Sequence, residues 1–280
     1  MLQKTFRRST WAPPGILAVL VFAPVTAKAT PPADPSREQV IRIVNQIKRA
    51  DYEGDRAALQ RLRIQLTPYV VKKGLSSRVR YWRGFALWRR AINGFNDHVD
   101  PKDLQTDLIQ ALDEFDDAVA KDPSFVDAKI AALGCAGYLA YGTGEKDSQR
   151  VEQWIDKGRK LWAEAQAAAP NNPRLMWVDG PGVWFTPADH GGGQAKAIEV
   201  YEKGLETIRR TKTASADPLE PTWGEPELLM SLAWSQLNRT TPDLDSAEQY
   251  ARSALQMVPY WHYLRDILIP QIQEARKKQH

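Results

Sequence analysis

Apolar positions in this chain recur at helical spacing almost from end to end. Val40, Ile41, Val44 and Ile47 make one stripe, the Glu53-Gly54-Asp55 turn reverses the chain, and Leu59, Leu62, Leu66 and Val70 make a second stripe. These predict an N-terminal helical hairpin over residues 30–75, with Ser36 as its cap after the proline-rich lead-in Thr30–Pro35. A helix starting at Ser76 or Ser77 carries Tyr81, Trp82, Phe85 and Trp88 on one side. Further helices are predicted over Leu104–Lys121, from Pro123 to about Tyr141, and over Gln149–Ala169. An aromatic helix through Trp177, Val178 and Trp184 runs into Pro187, and Gln194 opens the next helix. Glu227–Leu237, Asp245–Met257 and a charged capping helix over residues 260–280 complete the set, about ten or eleven helices in all. No stretch shows the alternation of a strand, so the chain is expected to be all-α.

One face repeats. Ala111, Phe115 and Ala118 stand four and then three residues apart, with Pro123 five residues later. Gly158, Trp162, Ala165 and Pro170 repeat the pattern, as do Ala247, Ala251, Ala254 and Pro259; Ala197, Tyr201 and Gly204 repeat it without the proline. Small residues at this spacing let two helices approach, and the bulky one fills the space between them. The pattern resembles the second helix of tetratricopeptide repeats, most closely at Ala111-Phe115-Ala118-Pro123. Successive copies lie 47, 39 and 50 residues apart where that family has about 34, so the repeats are degenerate, with long loops. The resemblance covers residues 76–259. It implies a right-handed helical-hairpin solenoid with irregular loops, acting as a binding scaffold for protein partners.

Charge changes the picture once the first 29 residues are set apart. They combine a basic start (Lys4, Arg7, Arg8), an apolar run from Ile16 to Val25 and the ending Ala27-Lys28-Ala29, the parts of a signal peptide cleaved after Ala29. The expected product is periplasmic or secreted, with no transmembrane span left after cleavage. Without the leader the chain carries 34 basic and 34 acidic residues, so overall basicity gives no case for nucleic acid. The charge is polarised: residues 30–93 carry a net +9 and residues 94–280 a net −9. Arg78, Arg80, Arg83, Arg89 and Arg90 flank the aromatic helix, where they could meet an acidic partner or pair with Asp113, Asp116 or Asp117 on the next helix.

Candidate chemistry is sparse. The single cysteine, Cys135, sits in an apolar run and reads as buried and inert. Gly191-Gly192-Gly193 precedes a helix start that could hold an anion, although the phosphate-loop lysine spacing is missing and a tight turn is the plainer reading. Asp113, Glu114, Asp116 and Asp117 lack the glycine of a calcium loop. Zinc-protease, serine-hydrolase and Cys/His zinc spacings are also missing, so no catalytic residue, cofactor or metal is expected. Asn238-Arg239-Thr240 fits a glycosylation acceptor. Of the nine tryptophans beyond the leader most fall at packing positions, whereas Trp184, Phe185 and Trp223 lie at helix ends or in loops. With Arg83 and Arg90 they form the candidate partner-binding set. The function expected is a non-catalytic envelope scaffold for protein–protein interaction; the alternative is a solute-binding accessory subunit of a periplasmic transport system.

Overall fold

A computed structural model of the chain describes residues 34–143, 147–211 and 217–279. The expected leader and its cleavage point lie outside these residues. Among the described residues the structure is all-α, with eleven α-helices and no strand. In order they are α1 (Pro35–Glu53), α2 (Arg56–Gln65), α3 (Ser76–Asn96), α4 (Pro101–Lys121), α5 (Val126–Thr143), α6 (Ser148–Ala168), α7 (Pro173–Phe185), α8 (Gln194–Thr211), α9 (Glu225–Asn238), α10 (Leu244–Met257) and α11 (Ile269–Lys277). A π-helical turn, Tyr263–Leu268, leads into α11.

Side-chain caps fix most of the starts. Asp34, Asp55, Asp100, Asp147, Asn172 and Asp243 each accept a hydrogen bond from a first-turn N–H, satisfying a donor that has no partner within its helix. Asp34 caps α1 in place of the expected Ser36, because Pro35 fits the first turn and Ser36 N donates to the Asp34 carboxylate at 2.9 Å. Pro123, expected to open its helix, lies in a turn ahead of α5, and Pro226 stands in the first turn of α9.

Consecutive helices pack in pairs, α3 with α4, α5 with α6, α7 with α8 and α9 with α10. The repeated face makes the contacts. Ala111, Phe115, Ala118, Ala197, Ala247, Ala251 and Ala254 are fully buried, and Tyr201 and Gly204 are buried beside them. In α3, a Cβ on Gly84 would stand 2.9 Å from the Phe115 ring, so the absent side chain is what allows α3 and α4 to close on Phe115. Helix α3 is the hub: Tyr81, Trp82, Phe85 and Trp88 are all buried and join Phe115, Phe125, Trp177 and Trp223 in one aromatic cluster, with ring centroids 5.0–6.3 Å apart. The two ends of the array also touch. Tyr52 of α1 packs edge-on against Trp261 at 4.9 Å, and Gly54 lies under His262.

Candidate functional site

The arginines flanking α3 are engaged inside the fold. Arg83 is 8% exposed, pairs with Glu114 at 2.7 Å, and donates to the Arg63 carbonyl and to Thr67. Arg90 grips the Asp107 carboxylate at 2.6 Å, Arg80 reaches Glu114 and Asp117, and Arg89 holds Asp51 at 2.8 Å. Arg78 bridges Asp122 and Glu220. The expected binding surface through Arg83 and Arg90 is thereby corrected. Helices α3 and α4 neutralise one another, through Glu114 and Asp107 as well as Asp117, because a buried guanidinium left without its carboxylate would cost about 3–5 kcal/mol.

Trp223 is likewise internal. Residues 217–224, Asp-Pro-Leu-Glu-Pro-Thr-Trp-Gly, form a strap across α1, α3 and α7, the first helices of their pairs. Asp217 pairs with Arg37 at 2.6 Å, the Leu219 carbonyl accepts from the Trp82 indole at 2.8 Å, and Glu220 pairs with Arg78 at 2.6 Å. Lys48 donates to Thr222, and the Trp223 indole donates to Tyr81 Oη at 2.8 Å. The Trp223 ring lies against Trp88 and Trp177. Pro218 and Pro221 favour an extended course and leave no N–H to be satisfied there. The signal in the sequence was the presence of Leu219 and Trp223 in an otherwise polar loop.

Beneath the strap lies a polar network without a sequence motif. Arg89, Asp51 and Asn93 are buried together, Tyr52 donates to Glu227 at 2.8 Å, and Glu227 also accepts from the Gly224 N–H. Burial pushes the Asp51 carboxyl up, with Arg89 pulling it back. Burial likewise opposes the charge on Arg89, but Asp51 and Glu227 outweigh it and raise that group. Every polar group here has a structural partner.

Trp184 and Phe185 end α7. Trp184 is buried against Trp234 at 5.2 Å, whereas Phe185 is 75% exposed. The glycine turn that follows holds its N–H groups inward, Gly191 to Ala188 O, Gly192 to Pro187 O and Gly193 to Val183 O, so it is a tight turn and not an anion cradle. Cys135 is fully buried, and burial pushes its thiol well up. Asp116 and Asp117 pair with Lys157 and Arg80. Among the described residues no three of His, Cys, Asp and Glu converge as a metal would require.

The array loosens at one junction. α4 lies along α5 and α8 along α9, but α6 barely touches α7, which leans on α5. Arg174 at the start of α7 is clamped to Asp127 of α5 at 2.7 Å, and Ala165, Leu175 and Ile130 seal the base of the junction. Pro181 inside α7 removes the N–H that would reach the Trp177 carbonyl. Above the seal Trp162 of α6 is 39% exposed, although its counterparts Phe115 and Tyr201 are 0% and 4% exposed. On the facing helix, burial pushes the Asp179 carboxyl up and the nearby Trp162 indole draws it back down. One turn further along α7, Gly182 has open space where a side chain would stand. Trp162 was visible in the sequence as a packing residue; Asp179 carried no signal.

No protein-family model matches the sequence. No curated protein matches it either. Among solved structures, the HusA haemophore from Porphyromonas gingivalis is similar, with a TM-score of 0.57 and 18% identity over 74% of this chain and 96% of that one. At that identity the likeness establishes a shared helical fold. No helix among the described residues is long and apolar enough to cross a membrane.

Proposed function

We propose that this chain is an exported, non-catalytic binding protein built on a degenerate tetratricopeptide-like array, and that it binds a small ligand, as an accessory to envelope transport would. The observation that carries this reading is the strap. A peptide-binding scaffold of this type would offer the face of its first helices to an extended partner, and here residues 217–224 already cover α1, α3 and α7 with ion pairs, indole hydrogen bonds and a buried tryptophan. At the α6–α7 junction, by contrast, Trp162 is left 39% exposed where its counterparts in the other pairs are enclosed. Likeness to a haemophore supports carriage of a small ligand and makes haem a cargo to test.

Native mass spectrometry of the chain purified without denaturation from its own cells tests the reading, alongside a haemin titration followed by absorbance. A stoichiometric low-mass adduct, or saturable one-to-one haemin binding, is the expected result. A bare chain that ignores haemin and co-purifies with another protein at fixed stoichiometry would overturn it. That outcome would restore the scaffold reading, which the exposed Tyr141 and Phe185 side chains at the ends of α5 and α7 favour.

A further inference from the structure

We propose that Asp51 binds a proton inside the folded chain, so that the contact joining α1, α3 and α9 is a pH-sensitive clasp. The charge count of the site carries the argument. Asp51 is 2% exposed, Glu227 0% and Arg89 4%, so two carboxylates share one guanidinium out of reach of water. Arg89 gives its Nε to Asp51 at 2.8 Å and stands 4.0 Å from Glu227. No other basic side chain among the described residues comes within 4.0 Å of either acid. Lys48 donates to Thr222, Arg49 pairs with Glu53, and His262, which stands over Gly54 beyond the end of α1, is hydrogen-bonded to Asp266 at 2.7 Å. With both acids ionised the site would carry one negative charge in excess. An uncompensated charge so deep is costly enough that the group takes up a proton instead.

The two helix ends decide which acid carries it. Glu227 lies in the first turn of α9, where the helix dipole favours negative charge, and it accepts from the Gly224 N–H at 2.7 Å and from Tyr52 at 2.8 Å. Asp51 lies in the last turn of α1, where the dipole opposes negative charge and no basic side chain of that turn offsets it. Glu227 is therefore the ion and Asp51 the acid. Oδ1 of Asp51 receives both Arg89 and Asn93, which leaves Oδ2 to carry the proton. The influences on the group point the same way: burial raises the carboxyl, Arg89 draws it back, and Glu227 pushes it up again. Arg89 keeps its charge beside Glu227 and two aromatic faces, Phe85 and Trp177, each at 5.8 Å. The proton has structural reach, because Tyr52, which donates to Glu227, also packs on Trp261 where the two ends of the array meet.

The test is infrared spectroscopy of the full chain in the carboxylic-acid C=O region, with urea unfolding across pH beside it. At about pH 7, a buried acid band should be present in the parent and absent from Asp51→Asn. Glu227→Gln should lose the same band, because Arg89 then balances an ionised Asp51 and nothing holds the proton. The amide of Asp51→Asn matches a neutral acid in shape and keeps an oxygen for Arg89, so that variant should melt within a few degrees of the parent. A folded chain that holds this proton more tightly than the unfolded one loses stability as pH rises between the unfolded and folded values. The folding constant of the parent relative to Asp51→Asn should therefore fall by up to about tenfold per pH unit through that window. A parent without the band, a band that survives Glu227→Gln, or an Asp51→Asn chain that fails to fold would each overturn the proposal. So would a relative folding constant that is flat or rises with pH, the behaviour of an ionised Asp51 in a plain ion pair with Arg89.

Discussion

The α3–α4 and α6–α7 contacts use the same face of the repeat to opposite ends. In the first, Phe115 is fully enclosed, Gly84 admits it, and the carboxylates Glu114, Asp117 and Asp107 are each met by Arg80, Arg83 or Arg90. In the second, the equivalent ring is half out, the facing helix is interrupted by Pro181, and the charge beside the ring has no opposite. A repeat array whose neighbours all pack tightly has only its outer surfaces to offer a ligand. Loosening one junction leaves its ring accessible, at the expense of the packing that junction would have supplied.

The sharpest way to break the comparison is to truncate both rings. Phe115→Ala removes a fully buried side chain from the tightest part of the fold and should destabilise by about 3–5 kcal/mol. Trp162→Ala, although it deletes a larger group, should cost only about 1–2 kcal/mol, since much of that ring is already in water. Urea denaturation of the two variants decides the matter. Equal losses would mean that the α6–α7 junction is as tightly packed as the rest, and the contrast drawn above would be lost.

The array itself was legible because each pair needs small residues at fixed helical spacing, and Ala111, Phe115 and Ala118 or Ala247, Ala251 and Ala254 satisfy that need locally. The site was not legible for three physical reasons. The ion pairs of α3 depend on register: Glu114 and Asp107 lie 31 and 17 residues from Arg83 and Arg90, and composition shows the charges without showing that they meet. The strap is a long-range contact, with Trp82 and Leu219 137 residues apart, so a polar proline-rich loop gave little sign of filling the inner face. Trp162 has the same spacing signature as Phe115, and only the looseness of the next helix, which no local pattern encodes, exposes it.

Two glycines one turn apart on α5 offer an intermediate effect. A Cβ on Gly134 would come within 2.6 Å of the Trp88 ring, whereas one on Gly137 would meet nothing within 4 Å. Gly134→Ala should therefore cost about 1–3 kcal/mol through overpacking against the aromatic hub. Gly137→Ala should stabilise, by about 0.5–1 kcal/mol, because only the helix-propensity gain remains. Opposite signs in thermal unfolding are the expected result. A Gly137→Ala chain as damaged as Gly134→Ala would show that the outer face of α5 is covered after all.

The smallest effect concerns Asp179 and is predicted as a sign. Burial raises its carboxyl above the ordinary 3.8, so the folded chain holds that proton more tightly than the unfolded one does. Between the unfolded and folded values the native state binds more protons, which means that stability falls as pH rises through that window. At neutral pH the ionised group is a standing cost, fully present above the folded value and absent below the unfolded one. Asp179→Asn keeps the side chain's size and removes the charge. It should therefore be slightly more stable than the parent at pH 7, and the advantage should shrink as pH is lowered towards 3.8. Parallel melts across that range check this. An Asp179→Asn chain less stable at pH 7 than the parent would mean that the ionised carboxylate is stabilised where it sits, and α6–α7 would then join α3–α4 as a matched junction. A gain at neutral pH would instead show that the fold keeps this carboxylate at a cost to its own stability.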